Sequence, residues 1–132
     1  MNNKAFTLVE LLAVIVILSL LALITSTAIT NIVSDSKKEL SDTQMALIKT
    51  AAKTWGSDNV PSLPQVGSCS YLTLQDLKDY GLLDENINDP KANEEISNDL
   101  KIKITATSTT DGNKIIDYEV NPESINGCTN IY

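Results

Sequence analysis

Three sets of side chains in this sequence could do chemistry: a carboxylate in an apolar run, a pair of cysteines, and clustered acids. Glu10 is the only charge between Phe6 and Ile24, where Thr7 and Ser19 are the only other polar side chains. A carboxylate within such a run costs about 3 kcal/mol on insertion scales, so Glu10 calls for a cationic partner at similar depth. Cys69 and Cys128 are the only cysteines, too few to build a zinc site. Outside the cytosol they can form a disulfide worth about 2–4 kcal/mol. The alternative is two buried thiols. The flanks Gly67-Ser68-Cys69-Ser70 and Asn126-Gly127-Cys128-Thr129 are polar and turn-like rather than apolar, which favours the bridge. Asp84-Glu85, Asp89, Glu94-Glu95 and Asp99 carry oxygen ligands of the kind Ca²⁺ takes. Their spacing fits no calcium loop and reads as solvated loop charge, and Asp111-Gly112-Asn113 reads as a turn. With no His there is no Ser–His–Asp triad and no His-based metal site, and no Gly-rich phosphate loop occurs. No cofactor, no metal and no catalytic residue is expected, and the chain is read as a non-enzyme.

The element that positions Glu10 is the apolar run itself. From Phe6 to Ile24, at ~1.5 Å rise per residue, it reaches roughly 28 Å as a helix, enough to span the hydrocarbon core. Its basic flank is short, and no clean Ala-x-Ala site follows, Thr25-Ser26-Thr27-Ala28 being the nearest imitation. Removal as an ordinary secretory signal is therefore disfavoured. Lys4 and the terminal amine ahead of the run favour a cytoplasmic N-terminus, with the remainder outside. Lys4 and Glu10 cancel, so that remainder carries the whole net charge of −7. All of its basic residues are Lys, a poor surface for phosphate recognition, and direct nucleic-acid binding is not expected.

No Pro or Gly interrupts the chain before Gly56. Ile29, Val33, Ser36, Leu40, Thr43, Leu47, Ala51 and Trp55 recur at helical steps, with Asp35, Lys38, Glu39, Asp42, Lys49 and Lys53 mostly off that stripe. The pattern predicts one helix of about 50 residues: apolar, then amphipathic, and closed by Gly56 as a C-cap. Thr25-Ser26-Thr27 and Thr30 mark either a bend or the membrane-exit boundary. Residues 56–71 read as a loop. Thr73 reads as the N-cap of a short helix to Tyr80, stopped by Gly81. Asp84–Asn98 reads as a second loop. Lys101–Thr107 and Lys114–Val120 alternate with period two around Asp111-Gly112 and predict an antiparallel hairpin. Thr129–Tyr132 is long enough for one edge strand. The fold class is α+β, a lollipop layout with a long N-terminal helix packed on a small antiparallel β-sheet head. Its divisions are a short basic start at 1–5, a transmembrane half-helix at 6–28, an amphipathic half at 29–55, and a head at 56–132. A head that small sits near the lower limit of core self-sufficiency, so packing on the helix or a covalent staple helps it.

The cation Glu10 needs would appear if the chain were cut just before Phe6, placing a new α-amino group in the same membrane layer. Lys4-Ala5-Phe6-Thr7-Leu8-Val9-Glu10-Leu11-Leu12 resembles the prepilin processing site of type IV pilins, pseudopilins and competence pilins. The likeness is close over about residues 1–30, and the remainder agrees only in general layout. The resemblance implies a membrane prepilin peptidase that cuts between Ala5 and Phe6, with Lys4 in the basic leader, and N-methylation of Phe6. It implies that Glu10, with Thr7, docks the incoming subunit and that identical or related subunits form a helical polymer. An assembly ATPase and a platform protein would drive extrusion from the cytoplasmic membrane to a cell-surface filament. Ala5 stands where Gly is commonest, a departure accepted in some competence pilins of Gram-positive bacteria. Ser19 stands where Gly is frequent, and Thr27 where many pilins carry a kinking Pro. The reading from another class is a single-pass anchored extracellular binding module whose Glu10 pairs with a different membrane protein.

Overall fold

The computed structural model describes residues 7–132, apart from the side chains of residues 24–28. The chain divides into two compact units, one closing at Lys38 and the other spanning Glu39–Tyr132. Helix α1 (Leu8–Asp58) contributes to both.

In the first unit the described side chains of α1 are all exposed, Leu8, Val9, Leu11 and Leu12 among them. Ser19 Oγ donates to the Ile15 carbonyl oxygen at 2.7 Å, so its hydroxyl is satisfied within its own helix. Among the described residues no helix is long and apolar enough to cross a membrane. Phe6 and the side chains of residues 24–28, which the expected 6–28 span needs, lie outside the described set. The helix backbone runs through Thr25–Thr30 without interruption.

The second unit combines the C-terminal part of α1 with β1 (Cys69–Thr73), α2 (Leu74–Asp79), β2 (Asn88–Asp89) and β3 (Glu94–Glu95). It is completed by β4 (Lys101–Ser108), β5 (Lys114–Val120) and β6 (Thr129–Asn130). The fold is α+β: a long N-terminal helix and a four-stranded sheet of order β5-β4-β1-β6, with β2 and β3 forming a separate small hairpin. In β4, Ile102, Ile104 and Ala106 point inward while Lys101, Lys103 and Thr105 point away, as the period-two pattern requires. β5 pairs with it antiparallel, Ile104 opposite Tyr118, across a turn in which Gly112 adopts φ +80°. Thr73 opens α2 with a capping box, its Oγ1 accepting from Asp76 N–H while the Asp76 carboxylate accepts from Thr73 N–H at 2.7 Å.

Four details depart from the sequence reading. α1 does not stop at Gly56 but continues to Asp58. Gly56 is buried inside the helix, where an added Cβ would collide with the Tyr118 hydroxyl; it is small for close packing, not for a C-cap. The buried face of α1 is also rotated. Ile48, Ala51, Ala52 and Trp55 enter the core, whereas Leu40 and Leu47 of the predicted stripe remain 55% and 54% exposed. Two apolar stripes lie side by side on this helix, and the core of the unit forms on the one that carries Ile48 and Ala52. The segments read as loops hold strands: β1 begins at Cys69, and β2–β3 forms around buried Ile87 and Ile96, joined by Ile96 N–H to Ile87 O at 2.8 Å. Finally, β6 pairs parallel to β1, so the sheet is mixed rather than wholly antiparallel.

Candidate functional site

The entry into α1 is built by Thr7-Leu8-Val9-Glu10, an N-terminal sequence of capping-box form. Glu10 Oε2 accepts the Thr7 N–H and the Thr7 hydroxyl, both at 3.0 Å, and Thr7 Oγ1 accepts the Glu10 N–H at 3.3 Å. The carboxylate therefore serves two purposes. It ties the first turn of its own helix together, and it places a negative charge where the helix dipole favours one. The spacing Thr-x-x-Glu was the available signal for this contact; the sequence reading put both residues in assembly without seeing that they bind each other. Lys4, Ala5 and Phe6, the expected processing residues, lie outside the described residues.

Cys69 and Cys128 are joined, with Cα atoms 4.7 Å apart, and the bridge holds β6 against β1 at Ser70–Thr129 and Tyr71–Asn130. The chain end is held again at Tyr132, whose hydroxyl accepts from Trp55 Nε1 at 3.1 Å. These contacts fasten the C-terminal segment to both the sheet and α1.

The acidic segments are engaged in local structure. Asp89 Oδ1 accepts the Lys91 N–H at 2.9 Å, which holds its carboxyl below the usual Asp range, and the Ser41 hydroxyl on α1 acts in the same direction. Glu95 faces Lys78 across 3.8 Å. Among the described residues no group of three or more His, Cys, Asp or Glu side chains is arranged to hold a metal ion.

One groove of about 420 Å³ lies between α1 and the segment after α2, lined by Leu47, Ile48, Ala51, Leu82, Leu83 and Ile87 with polar Gln44, Thr50 and Thr54. Asp84 is its only charged lining residue, so it presents an apolar wall and no acid–base pair.

Sequence comparison adds one finding. Residues 1–26 match the family model of the prokaryotic N-terminal methylation motif. No curated protein and no solved structure matches the chain. The matched span contains Ala5, Phe6, Thr7 and Glu10, and so the chain carries at its N-terminus the class III signal peptide characteristic of type IV pilin precursors.

Proposed function

We propose that this chain is a structural subunit of a type IV pilus or pilus-like filament, cut between Ala5 and Phe6 and polymerised through α1. The observation that carries the reading is the N-terminal methylation motif over residues 1–26. Its order of basic leader, small residue, aromatic residue, Glu10 and apolar run suits a membrane-embedded processing and assembly step. In this reading residues 1–5 are the leader, 6–28 the membrane and later filament-core segment, 29–55 the amphipathic helix and 56–132 the head.

The mechanism rests on charge burial. An isolated carboxylate or ammonium in hydrocarbon is costly, and pairing the two offsets much of that cost. Before assembly, Thr7 supplies Glu10 with two hydrogen bonds, both ending on Oε2. Cleavage exposes the Phe6 amine, which stays cationic after N-methylation and belongs to the same membrane layer. The ammonium of one subunit then pairs with the Glu10 carboxylate of its neighbour. The partners are other subunits of this class, a prepilin peptidase, and the assembly ATPase and platform. The subunit begins as a single-pass protein of the cytoplasmic membrane and ends in an extracellular filament.

Mass spectrometry of the protein from cells with an active peptidase tests this directly. The mature N-terminus is expected at Phe6, and the protein is expected in filaments sheared from the cell surface. An intact Met1 N-terminus, with the protein confined to membranes, would instead leave an anchored binding module.

A further inference from the structure

Among the described residues, Lys78 is the buried charged residue, its side chain only 1% exposed. Its Nζ donates to the Glu85 carbonyl oxygen and to Asn98 Oδ1, each at 2.6 Å, and the Glu95 carboxylate lies at 3.8 Å. Amine, amide and carboxylate come from three places, α2, the segment between β3 and β4, and β3, and backbone hydrogen bonds tie the start of α2 to the Asn98 segment. Gln75 N–H donates to the Asn98 carbonyl oxygen at 3.1 Å and Leu74 N–H to that of Leu100 at 2.8 Å.

We propose that Lys78 and Asn98 condense into an intramolecular isopeptide bond, with Glu95 as the acid–base group. The proposal stands on this geometry alone and does not depend on the filament reading. Nζ is 2.6 Å from Oδ1. A C=O bond is about 1.23 Å long, so Asn98 Cγ lies no more than about 3.8 Å from Nζ. That is close to the ~3–3.5 Å separation of a near-attack arrangement, in which fixed partners react with a high effective molarity.

The reaction balances with no added reagent. Glu95 takes one proton from the Lys78 ammonium, and the freed Nζ lone pair attacks Asn98 Cγ. The Nζ–Cγ bond forms while the carbonyl π pair moves to Oδ1. Glu95 delivers its proton to Nδ2 and then takes a second from Nζ. Collapse of the tetrahedral centre restores the C=O bond and breaks Cγ–Nδ2, releasing ammonia, which takes the second proton from Glu95 and departs as ammonium. Glu95 is again a carboxylate, and a secondary amide joins the two side chains. Asn98 is solvent-exposed, which gives the ammonia its exit. Glu95 is 53% exposed and can pass protons to water. The bond would close residues 78–98, the polar segment whose strands β2 and β3 have two residues each. The disulfide fastens the opposite, C-terminal part of the same unit.

The test is the mass of the full chain purified with its disulfide formed, followed by tryptic mapping after denaturation. The wild type is expected to weigh less than its sequence by one ammonia, beyond the two hydrogens of the disulfide. Trypsin should leave Lys78 uncut and release a branched peptide joining it to Asn98. Glu95→Gln, at a half-exposed position, should keep the ammonia, be cut after Lys78 and retain the wild-type circular dichroism spectrum. Lys78→Arg should also keep the full mass. A wild-type mass lowered only by the disulfide, or Asn98 recovered as free Asn or Asp, overturns the proposal. A Glu95→Gln protein cross-linked as fully as the wild type removes Glu95 from it.

Discussion

The hydroxyl of Tyr118 in β5 occupies the space that a side chain at position 56 of α1 would need. Glycine is a poor helix residue, yet here, two residues from the end of α1, it lets the helix and sheet approach until Tyr118 is nearly inaccessible. Trp55, next to Gly56 in α1, is fully buried in the same core as Tyr118.

Replacing Gly56 by Ala therefore sets two effects against each other. Helix propensity favours Ala by about 1 kcal/mol. Overpacking against the Tyr118 ring costs about 1–3 kcal/mol. The steric cost is expected to win, because the clash is with a ring fixed in the core. Urea unfolding of the detergent-solubilised chain should show Gly56→Ala as destabilised. Adding Tyr118→Phe, which removes the oxygen nearest the new methyl, should recover part of the loss, and strict additivity of the two changes would contradict the contact.

Burial also pushes the Tyr118 hydroxyl above its ordinary pKa of 10.0. The neutral phenol is thus favoured in the folded chain relative to the unfolded one. Its contribution is fully present below the unfolded pKa and declines as pH rises from there through the folded value. Stability should fall above about pH 10 more steeply in the wild type than in Tyr118→Phe. Parallel pH profiles for the two proteins would show that Tyr118 titrates as it does in water.

The Cys69–Cys128 bridge spans 59 residues and fastens a strand of two residues. Loop-closure arithmetic and the small size of the unit give an expected loss of about 2–5 kcal/mol for Cys69→Ser with Cys128→Ser. The same variant should show faster amide exchange at Thr129–Tyr132. Unchanged exchange there would mean that β6 is held by its backbone pairing and the Trp55–Tyr132 contact alone.

Substitution separates the cap contact of Glu10 with Thr7 from the charge pairing that the proposed filament role gives it. Glu10→Gln keeps acceptors for the Thr7 hydrogen bonds but removes the charge, and Thr7→Val keeps the charge but removes the cap hydroxyl. Both variants should still be cut at Ala5–Phe6. Glu10→Gln is expected to abolish most filament yield, whereas Thr7→Val should loosen the first turn by about 1 kcal/mol while filaments still form. Filament yield that falls for Thr7→Val and not for Glu10→Gln would shift the assembly role from charge pairing to the cap. Sheared-filament immunoblots and N-terminal mass spectrometry distinguish these outcomes.

The elements most legible in the sequence are those set by neighbours along the chain. The β4–β5 hairpin follows from alternation around Asp111-Gly112, and α2 follows from Thr73 and Gly81, since turn and cap preferences need only a few adjacent residues. β1 was missed because Leu72 is the one large apolar side chain in it. The β2–β3 hairpin was missed because only Ile87 and Ile96, nine positions apart, mark its buried ends. The Lys78 cluster has no sequence signal at all, being drawn from residues 78, 85, 95 and 98.

By itself, then, the order of residues determined the N-terminal signal, the long helix α1 and the alternation of β4 and β5, because charge, size and periodicity act over one or two turns. Only the tertiary structure decided which stripe of α1 is buried, why position 56 is glycine, that β6 runs parallel to β1, and that Lys78 meets Asn98. Those choices depend on contacts between residues distant in the chain, where packing selects one arrangement among several that local preference leaves equal.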